Sequence, residues 1–120
     1  MKYLIMIYGN RELWESFSAE ERAELIAAHD AFNEEFRNTG ELLGAYGLGD
    51  LEQARTVRVR DEMPVISDGP YLETKEHMGS FCLLDVESDE RALEITARIP
   101  AANFIAVELW PVLHEAGVEM

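Results

Sequence analysis

Met1-Lys2-Tyr3-Leu4-Ile5-Met6-Ile7-Tyr8 opens the chain, and its reading decides the fold. The run is far shorter than the roughly 20 apolar residues of a membrane span. No small-residue cleavage site follows it. As a strand it alternates, with Tyr3, Ile5 and Ile7 on one side and Leu4, Met6 and Tyr8 on the other, so both faces are apolar. The same two-sidedness returns in Gly79-Ser80-Phe81-Cys82-Leu83-Leu84-Asp85-Val86, where Phe81 and Leu83 oppose Cys82, Leu84 and Val86. It returns again in a last strand from Phe104 to about Val112, where Ile105, Val107 and Leu109 oppose Ala106 and Trp110.

Helix signals lie between these strands. Ser18-Ala19-Glu20-Glu21 fits a capping box, and the helix it opens runs until Gly40. At 100° per residue from Leu25, His29 falls at about 40°, Phe32 at about −20° and Phe36 at about 20°, one stripe. That stripe puts His29 on the buried face. Ser88 with Asp89 and Glu90 caps another helix, with Ala92, Leu93, Thr96 and Ile99 inward and Pro100 as its end. Glu41 to Tyr46 reads as a second strand. Ala54-Arg55-Thr56-Val57-Arg58-Val59-Arg60 and Pro64-Val65-Ile66-Ser67 read as a hairpin inserted between major strands, its arginines mostly solvated. The order is therefore β-α-β, a hairpin, then β-α-β, an α+β ferredoxin-like arrangement with two helices on one face of an antiparallel sheet. Helices on one side leave the other apolar face open. Soluble monomers rarely expose so large a patch, so a homodimer joined through the sheet face is expected.

Composition narrows the function. The 120 residues form one domain, 48% hydrophobic, with no repeat, linker or low-complexity segment. Twenty-four acidic residues against ten basic ones leave a net charge of −14. That field repels phosphate backbones and anionic headgroups, so neither nucleic acid nor a membrane is expected as partner. The lone Cys82 cannot form an internal disulfide and lies in an apolar strand, where it reads as a small buried hydrophobe in a reducing cytoplasm.

The chemistry concentrates in Asp68-Gly69-Pro70-Tyr71-Leu72-Glu73-Thr74-Lys75-Glu76. Asp-Gly-Pro is turn chemistry, because Gly allows positive φ and Pro presets its own φ. A turn does not require Glu73 or Lys75. Those two with Tyr71 are candidate ligand-binding residues, whereas Glu76 reads as part of a solvated loop. His29 interrupts an apolar stripe and needs hydrogen-bond partners if buried, either as a satisfied core residue or as a functional one. Asp68 either makes an Asx turn or serves as the carboxylate that orients His29 for acid–base work. Glu108 sits mid-strand between Val107 and Leu109. It is either a buried, partnered ligand-binding carboxylate or an edge residue facing water or an arginine such as Arg58. His29, Asp68, Glu73 and His77 match no metal-ligand spacing such as His-x-x-x-His, so no metal is expected. Gly44, Gly47 and Gly49 lack the strand-to-helix context of a phosphate loop, so no cofactor is expected either.

The Asp68-Gly69-Pro70-Tyr71 turn, the following Glu73-Thr74-Lys75-Glu76 and the Gly79-Ser80-Phe81 strand resemble the DGPF subgroup of the YCII-related family. Here Tyr71 stands for the usual Phe, and Ser80 replaces one Gly. The resemblance extends from the opening strand through Ala27-Ala28-His29 to Ala97-Arg98-Ile99-Pro100-Ala101-Ala102 and Glu108. It implies a dimeric α+β barrel of two ferredoxin-like units. It also implies that His29 is the catalytic position, usually discussed with an Asp before a Pro near the end of the second helix. Ile99 precedes Pro100 in this chain, so Asp68 is the replacement carboxylate. The subgroup usually has Gln at the place of His77, which makes His77 incidental, and His114 lies in a polar tail.

Two functions follow from the resemblance. One is cofactor-independent His/Asp acid–base chemistry on a small cyclic or aromatic-derived substrate. The other is a non-enzymatic small-molecule-binding or regulatory accessory protein, since genes of the subgroup commonly lie beside those of extracytoplasmic-function sigma factors.

Overall fold

The computed structural model describes residues 1–72 and 74–116. Its elements in order are β1 (Lys2–Asn10), α1 (Arg11–Ser16), α2 (Ala19–Asn38), β2 (Leu42–Gly47), β3 (Arg55–Arg60), β4 (Met63–Asp68), β5 (Glu76–Asp85), α3 (Asp89–Ala97) and β6 (Val107–Pro111). The major sheet runs β2-β5-β1-β6, with every neighbouring pair antiparallel. β3 and β4 form a separate two-stranded sheet. This is an α+β, ferredoxin-like fold with a hairpin excursion between the second and third major strands.

Burial separates the two faces of the sheet. Tyr3, Ile5 and Ile7 of β1 and Cys82 and Leu84 of β5 are buried with Phe32 and Phe36 of α2 and Ala92 and Ile95 of α3. Cys82 packs there as a hydrophobe, and its burial pushes the thiol up to about 11, which removes thiolate reactivity. Cross-strand register places Leu4 with Leu83 and Trp110, and Met6 with Phe81 and Glu108, on the opposite face. None of these is buried, and Trp110 is 54% exposed. Tyr46 stacks on Phe81 at 5.0 Å on the same open face.

The local signals explain the helices. Ser18 and Glu21 form the reciprocal capping box, Gly40 takes φ +83° after α2, and Ser88 caps α3. Two arginines then tie α3 to the rest of the domain. Arg91 makes a bidentate pair with Glu41 at 2.8 and 2.9 Å, and Arg98 makes another with Glu35. Both guanidinium groups also lie over the ring of Phe36, at 5.8 and 5.0 Å.

Several elements differ from the sequence reading. The inner face of α3 is Ala92, Ile95, Thr96 and then Ile99, spaced three and four residues apart, and this turns Leu93 outward at 54% exposure. β5 begins at Glu76 rather than Gly79, so Glu76 is an exposed strand residue and not part of a loop. A short helix, α1, capped by the Asn10 side chain, fills a segment that carried no periodic signal. β6 is shorter than expected, because residues 100–103 make a 3₁₀ turn and the strand starts only at Val107.

Phe36 is the side chain that α2, the two arginines and the sheet share. Phe36→Ala is expected to destabilise the protein by about 3–5 kcal/mol, the usual cost of deleting a buried aromatic ring. Urea unfolding followed by circular dichroism checks this, and a loss below about 1 kcal/mol contradicts the packing described.

Candidate functional site

The N-terminal half of α2 leaves the core that its C-terminal half enters. Phe32 and Phe36 are buried, whereas Leu25, Ile26, His29 and Asp30 line a cavity of about 730 Å³. The sheet side of this cavity is the end of β1, from Ile7 to Asn10, with His77, Gly79 and Ser80 of β5. Its other walls are α1 with Phe17, the loop Gly47 to Leu51, and Phe104 with Ile105. The volume lies within the range of small-molecule sites, and the lining is mostly apolar with a few polar groups.

An aromatic wall closes one side. Phe17 meets Trp14 edge-on at 6.4 Å and Phe104 at 5.2 Å. Arg22 donates its Nε–H to the Trp14 carbonyl at 3.0 Å and lies over the indole ring at 5.4 Å, fixing α1 against α2. Arg11 bonds Glu52 at 2.7 Å and so joins α1 to the segment after the Gly47–Leu51 loop. That hydrogen bond is the main reason the Glu52 carboxyl is held down to about 2.

His29 is half-buried. Burial lowers its pKa from the ordinary value, and the charge of Asp30 opposes that shift. The neutral imidazole, the form that accepts a proton, is thereby favoured. Asp68 does not meet it. Asp68 ends β4 opposite Arg55, is exposed, and does not line the cavity, so the expected His29–Asp68 pair is not formed within the chain. β3 and β4 pair with each other and not with the major sheet, which keeps Asp68 on the excursion.

The rest of the Asp-Gly-Pro segment is spread over the same region. Gly69 takes φ +88°, donates to the Ala54 carbonyl at 2.8 Å and accepts from the Thr56 hydroxyl at 2.8 Å, so the turn chemistry is as read. Tyr71 is exposed, with Arg58 4.9 Å above its ring. Lys75 is exposed, and Glu73 lies outside the described residues. Pro70 lines a smaller recess of about 370 Å³, whose wall shares Leu48, Gly49, Asp50, Leu51 and His77 with the larger cavity. The motif thus borders the smaller recess through Pro70, and His77 is part of the wall that recess shares with the cavity. Glu108 is elsewhere, half-buried on the open sheet face, where it accepts from the Tyr8 hydroxyl at 2.8 Å and from the Trp110 indole at 3.0 Å. Arg58, the arginine expected near it, stacks on Tyr71 instead.

His77 was read as incidental, yet it stands in the wall common to both cavities. The signal was Gly79, since a glycine inside a strand pattern often marks a bulge that changes which side chains face inward. Among the described residues, no group of three or more His, Cys, Asp or Glu side chains is arranged to hold a metal ion. None of the described helices is long and apolar enough to cross a membrane.

The profile of the YCII-related domain matches residues 1–115. The chain belongs to the YCII-related family. It is also 27% identical, over 103 residues, to an uncharacterised protein of Rhizobium meliloti (strain 1021), covering 86% of this chain and 83% of that protein. The capped α2 with His29 on its inner stripe thus belongs to a YCII-related domain whose relative here carries no assigned activity.

The lowered pKa of His29 has a consequence for stability. A folded value below the unfolded one, about 6.5, means that the neutral side chain contributes fully above that pH and that the contribution is lost as pH falls through the folded value. Relative to His29→Gln, the wild-type protein is expected to lose more melting temperature between about pH 8 and about pH 5. Parallel melting curves for the two proteins across that range contradict the lowered pKa.

Proposed function

We propose that this YCII-related protein is a cofactor-independent enzyme that uses His29 as a general base on a small cyclic or aromatic-derived substrate. The observation that carries the reading is a half-buried imidazole, biased toward its neutral form, on the wall of a cavity flanked by Trp14, Phe17 and Phe104. Flat aromatic walls suit a flat ring, and a neutral base suits abstraction of a proton from carbon or oxygen. The turn Asp68-Gly69-Pro70-Tyr71 supports a place in the DGPF subgroup, and its sequence keeps Tyr71, Glu73 and Lys75 as ligand-binding candidates beside Pro70, which lines the smaller recess. Asp68 is kept as a catalytic candidate to be tested against its turn role. The buried, unreactive Cys82 thiol supports a cytoplasmic setting.

The assembly belongs to the same reading. Leu4, Met6, Phe81, Leu83 and Trp110 form an open sheet face whose carboxylate, Glu108, is hydrogen-bonded by Tyr8 and Trp110 of its own chain. On a chain of net charge −14, such a face is where a second copy approaches with least repulsion. Two such faces stacked around a two-fold axis make the dimeric α+β barrel. Tyr3, Ile5 and Leu109 belong to the helix side and stay within the protomer.

A second reading, a small-molecule-binding regulatory protein without turnover, is favoured by one observation. No carboxylate is hydrogen-bonded to His29 among the described residues, so the orienting partner of a usual His/Asp pair is not in place.

Turnover decides between them. In an assay on a panel of cyclic ketones, lactones and hydroxylated aromatics, His29→Gln is expected to lower the rate by about 10²–10⁴, the usual worth of acid–base catalysis. Asp68→Asn is expected to melt near wild type and, from its place outside the cavity, to keep most of the activity. A fall in the Asp68→Asn rate as large as that of His29→Gln restores Asp68 to the chemistry, and ligand binding without turnover by the wild type supports the regulatory reading. For assembly, sedimentation equilibrium is expected to give a dimer at micromolar concentration, and Leu83→Arg a folded monomer. A monomeric wild type overturns the barrel.

A further inference from the structure

β5 changes sides part-way along its length. Ile5 faces Cys82 and Ile7 faces Ser80, all toward the helices, but the next pair is Tyr8 with Met78, so Gly79 is the extra residue of a bulge. Strict alternation from Cys82 and Ser80 would send Met78 inward and His77 outward. The bulge reverses this, pairs His77 with Gly9 and places His77 in the cavity wall that also holds His29. Glycine suits the bulge, because a Cβ at Gly79 would lie 3.3 Å from the Gly9 backbone nitrogen, closer than side chains usually approach.

The two nitrogens of His77 have different surroundings. Nδ1 is enclosed and has no hydrogen-bond partner among the described residues. Nε2 lies beside Gly9 of the cavity wall, 3.7 Å from where a Cβ on that glycine would stand. An enclosed N–H without an acceptor is rarer and costlier than an enclosed bare acceptor, so the proton belongs on Nε2 and Nδ1 stays bare.

We propose that His77 is a second functional imidazole of this cavity, an Nε2–H donor aimed by the Gly79 bulge at a carbonyl oxygen of the substrate. The assignment rests on reading the cavity as a proton-transfer site and narrows the substrate class to small ring carbonyl compounds. His29 takes a proton from the carbon next to the carbonyl. The C–H electron pair becomes the enolate π bond, and the carbonyl oxygen takes up the negative charge under the His77 hydrogen bond. Return of the proton from His29 to the same carbon, or to a conjugated one, regenerates the carbonyl, so no oxidant or cofactor is consumed. A neutral imidazole is suited to this role because it donates to the developing enolate without being strong enough as an acid to protonate it outright.

The protein alone gives the first test. Nitrogen-15 NMR of the histidine rings is expected to show His77 near neutral pH with Nε2 protonated and Nδ1 bare, and the opposite tautomer overturns the proposal. The second test uses cyclohexanone labelled with carbon-13 at the carbonyl. Binding to the wild type is expected to move the carbonyl resonance downfield, and this shift is expected to persist in His29→Gln and to vanish in His77→Leu. Exchange of the α-protons into deuterated water is expected to fall by about 10²–10³ in His77→Leu, the usual worth of one such donor, and to recover in part in His77→Gln, which restores an N–H. Should His77→Leu fail to fold, as judged by its melt, His77→Gln and the tautomer measurement decide. Absence of cyclohexanone binding, or an unchanged carbonyl shift in a folded His77→Leu protein, overturns the assignment. A carbonyl shift with no exchange by the wild type leaves His77 as a donor and removes only the catalytic reading of His29.

Discussion

The antiparallel pairing of β1 with β5 is the constraint on which the rest of the domain depends. These are the central strands, and each is apolar on both sides, so their register fixes two hydrophobic surfaces at once. One surface is covered by α2 and α3 and becomes the core around Ile5, Leu84 and Phe36. The other is left to whatever packs on Leu4, Met6, Phe81 and Leu83. A one-residue slip would exchange these surfaces, placing Met6 and Leu83 under the helices. The register between β1 and β5 shifts after Ile7, next to the cavity, where the alternation of the two faces is interrupted.

Most of the scaffold was legible because it is written in periodic apolar spacing and in caps. The strand at Tyr3 to Ile7, the box at Ser18 and Glu21, the stripe through His29 and Phe36 and the inserted hairpin are all local patterns with a local cause. Other features escaped for equally physical reasons. α1 is too short to show a period, and it is held by Asn10 and by Arg22 from the next helix. Leu93, expected inward, is exposed, because its angle on the helix differs from that of the buried Ala92 and Ile95. The candidate site was half legible. His29 was found because a polar residue broke an apolar stripe, but His77 depends on a bulge, and a bulge is a property of two paired strands that one strand's sequence barely records. The Asp68 pairing with His29 was an inference from residue type without geometry, and Asp68, at the end of the separate hairpin, does not line the cavity that holds His29.

The acidic character of the chain is not spread evenly in its effects. Near α3, carboxylates are engaged by arginines, with Glu35 and Glu41 each in bidentate pairs that hold their pKa values below the usual range. These pairs are partly solvated, so their direct contribution to stability is small, but they fix both guanidinium groups over Phe36. The same economy holds at the cavity. Arg11 is committed to Glu52, and the other polar side chains in the lining among the described residues include two imidazoles, the Ser80 hydroxyl and the carboxylates Asp30 and Asp50. A substrate entering there meets hydrogen-bonding groups and aromatic walls more than fixed positive charge, which sets it apart from sites built for phosphates.

The β3–β4 hairpin gives the domain a second level of cooperativity. Its strands form a two-stranded sheet separate from the major one, its turn holds Asp61 and Glu62 at positive φ, and Val57, Val59, Val65 and Ile66 are all exposed. A two-stranded ribbon of this kind is marginal by itself in water, so it can fray and re-form while the four-stranded sheet stays closed. Its amide hydrogens would then exchange with solvent through local opening, whereas those of β1 and β5 would wait for global unfolding. Because the Asp-Gly-Pro turn hangs from the end of this ribbon, the border of the smaller recess inherits that local free energy and can be reset without disturbing the core.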